Sequence, residues 1–175
     1  MKTHILIFGL LILTVSCVNS GITSREKSSA MIRKVFIQEM ENEGLQAIGT
    51  GGAEREGKTT QISVSFQINK LMDIASAREI IVEAGSSLID IINTTENISQ
   101  FFVDYPVSSS IVRIIIIGKK PPPEDSLNYV LTVFLTDGKV RYTTDDPNPE
   151  NLRLYTVHEE SFDEALAIID TKKNK

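Results

Sequence analysis

The chain has 175 residues, with 18 Lys and Arg, 23 Asp and Glu, a net charge of −5 and a single cysteine. That length suits one domain with an adequate core. Mild acidity without a basic cluster excludes a general attraction to nucleic acid or anionic lipid, and one cysteine excludes an internal disulfide framework.

The first twenty residues are MKTHILIFGLLILTVSCVNS. Lys2 supplies a positive start, Ile5 to Val15 forms an apolar run, and small and polar residues follow. This is the layout of a secretory signal peptide over residues 1–16, too short to span a membrane as a mature helix. The stretch Leu13-Thr-Val-Ser-Cys17 resembles a bacterial lipobox, with Thr14 standing where Leu is usual. The resemblance covers residues 1–17 alone. It implies that Cys17 becomes the lipid-modified first residue of an exported envelope protein, anchored in the periplasm or at the outer membrane; free secretion is the alternative. No domain family is recognised in residues 29–175. The sequons Asn93-Thr-Thr95 and Asn97-Ile-Ser99 are read as chance matches in polar turns.

Residues 17–28 are small and polar and are expected to form a tether, leaving residues 29–175 as one domain. From Ser29 the spacing of Ile32, Val35, Phe36 and Met40 predicts a helix, with Gly44 as the residue that ends it. Leu45 to Ile48 is a short candidate strand. Gly52-Ala-Glu-Arg-Glu-Gly-Lys-Thr59 then fits the phosphate-loop pattern G-x-x-x-x-G-K-[ST]. That chemistry needs a helix N-terminus after the lysine, whereas the following residues alternate as a strand, so a Gly-rich loop over 49–58 with no nucleotide is expected.

In Thr60 to Ile68, Ile62, Val64, Phe66 and Ile68 alternate without a break with Gln61, Ser63, Ser65 and Gln67. A period of two means a strand with one buried face and one wet face. Ser76 and Glu79 fit a capping box opening a long helix, along which Ala77, Ile80, Ile81, Ala84, Leu88, Ile91 and Ile92 form one stripe. Asn97 is the expected cap of a short turn through Phe101 and Phe102. Ile111 to Ile117 is nearly continuously apolar, as for a central strand covered on both faces. Asp137-Gly138 lies between two further strand-like runs, the strongest short hairpin signal. Asp145 to Glu150 reads as a turn, Leu152 to Val157 as a strand, and Ser161 with Glu164 as the capping box of a last helix.

The expected class is therefore α+β, in the order α-β-β-α-β-β-β-β-α, with one antiparallel or mixed sheet and about three helices packed on one face. Candidate chemistry is sparse. His158 could act as a general base oriented by Glu159 or Glu160, yet no nucleophile motif accompanies it. Asp145, Asp146, Asn148 and Glu150 gather oxygen ligands, but two prolines break calcium-loop spacing, so no metal and no cofactor is expected. The expected activity is non-catalytic binding of an unknown protein or envelope component. The candidate surface is Gln61, Ser63, Ser65 and Gln67, with the loops 49–58 and 119–127. The alternatives are a small enzyme using His158 and an inhibitor of an envelope enzyme.

Overall fold

The computed structural model describes residues 24–122, 127–146 and 153–173. The signal peptide, Cys17, most of the tether and the centres of the loops at 123–126 and 147–152 lie outside them.

Helix α1 spans Ser24–Asn42, starting before the apolar pattern does. Ile32, Phe36 and Met40 are buried as their spacing requires, but Val35 lies at the margin of that stripe and is 48% exposed. Gly44 takes φ +86°, and the helix ends with Gly44 N donating to Glu41 O and Leu45 N to Met40 O. A left-handed residue is needed for this double closure, which glycine adopts at little cost.

Strands β1 (Gln46–Arg55) and β2 (Lys58–Gln67) form a tight hairpin. The expected Gly-rich loop is thus mostly strand. Its turn is Glu56 and Gly57 at φ 52° and 76°, the twist that matches two antiparallel strands. Helix α2 (Ile74–Thr94) crosses over to β3 (Val112–Ile117), which pairs parallel with β2. A short 3₁₀ turn, Ser99–Phe101, lies between them, and its cap position is Ile98, with no side-chain bond, rather than Asn97. The cap of α2 also differs from expectation. Asp73 occupies the N-cap, accepting from Ser76 N at 2.8 Å, while Ser76 Oγ accepts from Asp73 N at 3.1 Å. Ser76 is the third helical residue of the capping box and not its first, because the carboxylate three positions earlier reaches the same amide.

Strands β4 (Thr132–Thr136), β5 (Lys139–Asp145) and β6 (Leu154–Ser161) continue antiparallel. Asp137 and Gly138, at φ 51° and 73°, make the expected hairpin turn. Helix α3 (Phe162–Lys173) opens on the expected box, with Ser161 N donating to Glu164 Oε2 and Glu164 N to Ser161 Oγ. The result is α+β: one mixed six-stranded sheet in spatial order β1 to β6, with α1, α2 and α3 on one face.

The buried residues explain the layering. Ile62, Val64 and Phe66 of β2 stand beside Val112, Ile114 and Ile116 of β3, and the row continues through Val133 and Leu135 to Val140 and Tyr142. All are at most 1% exposed. Phe36 of α1 meets Phe66 edge-on at 5.5 Å, and Gly85 of α2 leaves room for the rings and methyls of Phe162 and Leu135. A Cβ at Gly85 would lie 2.6 Å from Phe162 Cε2 and 2.9 Å from Leu135 Cδ2, so close contact of α2 with α3 and β4 requires glycine there.

Candidate interaction surface

Because successive side chains of a strand point to opposite faces, everything that alternates with this core faces away from the helices. On β2 these are Gln61, Ser63, Ser65 and Gln67, so the four residues expected at a contact surface do share one face. The register extends that face across the sheet. Ser65 stands beside Ile115, Ile115 opposite Phe134, Phe134 opposite Arg141, and Arg141 opposite Glu159. A neighbouring row joins Gln67 to Ile117 and Thr132.

The central strand β3 corrects the expectation of burial on both faces. Its burial alternates, with Val112, Ile114 and Ile116 buried, Ile115 partly covered, and Arg113 and Ile117 exposed. Helices on only one side of the sheet leave the second set of isoleucines outside. Arg113, a charge within the apolar run, was the sequence signal for an open side. Polar ties surround the apolar centre. Gln67 Nε2 donates to Gln46 Oε1 at 2.7 Å, and Glu159 accepts from Arg141 Nε at 2.8 Å and pairs with Lys139 at 3.4 Å. The Arg141 and Lys139 hydrogen bonds hold the Glu159 carboxyl below its usual range. Toward one end, Thr132 and Thr143 are buried, with Thr143 Oγ1 donating to Thr132 O at 3.0 Å.

His158 lies in the second half of β6, which runs on to Ser161 just before α3 begins. One consequence is that Glu159 and Glu160 point to opposite faces and do not decorate the α3 N-terminus. Glu160 faces the helices. Its Oε1 accepts from Arg78 Nε at 2.7 Å and from Tyr142 Oη at 2.5 Å, and its Oε2 lies 3.6 Å from His158 Nε2. The Arg78 and Glu160 side chains are 13% and 7% exposed. Burial alone would raise the Glu160 carboxyl, but the hydrogen bonds from Arg78 and Tyr142 outweigh it and hold it below the carboxylate range. Burial first, and then the adjacent carboxylate, push the Tyr142 phenol well up, so it stays protonated and donates. The guanidinium of Arg78 sits 5.9 Å from the Tyr142 ring centre. Three elements, α2, β5 and β6, are thereby tied at one point.

The remaining motifs resolve simply. Lys58 and Thr59 of the phosphate-loop pattern begin β2, and Thr59 is buried, so no helix N-terminus follows the lysine. The side-chain amide of Asn93 is committed twice, donating to Val107 O at 2.9 Å and accepting from Val107 N at 2.7 Å. That clamp closes the loop after α2 and gives the first sequon a structural role. Among the described residues no group of three or more His, Cys, Asp or Glu could hold a metal ion, and no helix is long and apolar enough to cross a membrane. Residues 123–126 of loop 119–127 lie outside the described residues.

Compared with protein-family models, with curated proteins and with solved structures, the chain matches none of them.

Proposed function

We propose that the chain is an exported, non-catalytic interaction domain, lipid-anchored to the bacterial envelope through Cys17, that binds another protein or an envelope component. The observation that supports it is the helix-free sheet face. Ile115, Phe134 and the 37% exposed Ile117 form an apolar centre within a rim of Gln61, Ser63, Ser65, Gln67 and Arg113. An apolar centre with a polar rim is the anatomy of a protein contact. His158 with Glu160 supports a structural reading better than an enzymatic one, because Arg78 and Tyr142 already occupy the carboxylate. Inhibition of an envelope enzyme would use this same face.

A photo-crosslinking amino acid at Ser65, compared with one at the exposed Glu83 of α2, tests the face. The expected result is a discrete cross-linked species from Ser65 in envelope fractions and none from Glu83. Equal labelling from both positions would sink the assignment. Incorporation of a palmitate analogue that disappears in Cys17→Ala is expected for the anchor, and an unlabelled wild type refutes it.

A further inference from the structure

Among the described residues strand β1 ends the sheet, paired with β2 on one side only. The direction of its outer peptide groups follows from the register. Ile62 N donates to Ile111 O and Ile68 N to Ile117 O, so alternate residues of β2 from Ile62 aim their N–H and C=O groups at β3. Thr50 stands opposite Val64 and Gly52 opposite Ile62, so both aim their own groups away from β2. Two donor–acceptor sets about 6.8 Å apart repeat at the spacing of an extended chain.

The edge lies beside a groove. One part, of about 550 Å³, is lined by Ala30, Arg33, Lys34, Ile37, Glu41 and Thr50. Past Arg33 and Thr50 a second part of about 340 Å³ lies over the β1–β2 hairpin, against Glu26, Gly52, Thr59 and Ile62. At 1.5 Å per residue, α1 runs about 22 Å from Glu26 to Glu41, room for about six or seven extended residues.

Between the register shifts at Ala47/Gly49 and Ala53/Glu54, Gly49 to Ala53 holds no proline and no charge, two of the usual protections of a sheet edge. Gly49 and Gly51 are not demanded by packing on β2. A Cβ at either would meet only Ser65 Cβ or Ser63 Cβ at an ordinary 3.9 Å, and neither has a positive φ. Both lie beside the serines of the open face, so their effect is to keep that side of β1 free of side chains.

We propose that the outer edge of β1, with the groove beside α1, takes up an extended polypeptide segment carrying a carboxylate side chain opposite Arg33 and Lys34. The charges choose the occupant. Arg33 Nη1 donates to Gly51 O at 3.3 Å, placing the basic pair at the middle of the edge, with Glu41 toward one end and Glu26 and Glu54 toward the other. A second copy pairing antiparallel about Thr50 or Gly51 sets each basic pair against its own equivalent. An acidic residue at the middle of a foreign strand completes the charge pattern instead. This surface adds to the interaction reading a different place and a stated partner chemistry. It stands or falls separately from the open face, since Ser65 and Thr50 are changed independently.

The test is selection of random peptides of about eight residues, displayed on phage, on the immobilised full chain. Fluorescence anisotropy of the selected peptides with purified variants follows. Strand-forming peptides with a central Asp or Glu are expected. Arg33→Glu weakens them about fivefold to tenfold, and replacing the peptide's acidic residue by Lys restores binding to that variant. Thr50→Pro removes an outward N–H that β2 does not use, and abolishes binding with an unchanged circular dichroism spectrum. N-methylation of the peptide backbone does the same without altering the protein, which keeps the test decisive should Thr50→Pro not fold. Enrichment of no peptide, or of peptides indifferent to N-methylation and to Arg33→Glu, overturns the proposal. A concentration-dependent dimer lost in Thr50→Pro overturns it in favour of a second copy.

Discussion

Replacing Glu160 by Gln keeps the shape of the side chain and one acceptor oxygen but removes the charge that faces Arg78. The guanidinium of Arg78 is 13% exposed and the Glu160 side chain 7%, so water can compensate little of the loss. Breaking one side of a buried pair leaves the other charge stranded, at 3–5 kcal/mol in full, while a hydrogen bond to a charged group carries about 1.5–3 kcal/mol. Because Gln can still accept from Arg78 Nε, the cost stays within the hydrogen-bond range and below the full stranding cost, at about 2–3 kcal/mol. For a chain of this size the loss lowers Tm by roughly 5–10 °C. The pH dependence gives a sharper test. The folded Glu160 carboxyl titrates below its ordinary value of 4.5, so its contribution is fully present above pH 4.5 and is lost as pH falls through the depressed folded value. Below that point wild-type Glu160 is as uncharged as Gln. Urea unfolding of both proteins at pH 7 and at successively lower pH below 4.5 should show a gap that narrows in acid. The reasoning fails if the gap at pH 7 is under about 0.5 kcal/mol, or if it persists undiminished in acid. In an Arg78→Met background the same Glu160→Gln change should cost clearly less, as coupled residues require.

Gly85→Ala should destabilise although alanine is the better helix former. A gain of about 1 kcal/mol in propensity is outweighed by overpacking of about 1–3 kcal/mol against the buried Phe162 ring and Leu135, 2.6 and 2.9 Å from the new methyl. The penalty should shrink in a Phe162→Leu background, which relieves the ring contact and leaves that with Leu135, and calorimetry of the four proteins decides. Asp73→Ala removes the acceptor of Ser76 N and should cost about 1 kcal/mol in urea unfolding at pH 7. The Ser76 backbone hydrogen bond holds the Asp73 carboxyl below its ordinary 3.8, so this difference also shrinks as pH falls past that value, and an increase in acid would contradict the cap.

The four residues of β2 assigned to a contact surface were legible because an unbroken period of two leaves no choice of face. Their neighbours were not. Ile115, Ile117 and Phe134 look like core residues in one dimension, and only the placement of all three helices on the opposite side leaves them on the open face. The phosphate-loop pattern shows the reverse case, in which a local motif suggested chemistry that the turn at Glu56 and Gly57 converts into a hairpin. His158 and Glu160 are two positions apart in sequence, but the involvement of Arg78, 82 positions away from Glu160, needed the fold.

By itself, then, the sequence determined the periods: the α2 stripe, the alternation of β2, the Asp137-Gly138 turn and the Ser161–Glu164 cap. These are local, set by side chains within a few residues of one another. The fold alone decided the parallel pairing of β2 with β3, which strand became an edge, and which side of β3 stayed open. Those depend on how separate apolar faces bury one another, a global competition that no window along the chain records. The extent of β1 belongs to this second group. Gly49, Gly51 and Gly52 have little strand propensity of their own, and the residues from Gln46 to Arg55 become a strand because β2 offers them a ladder.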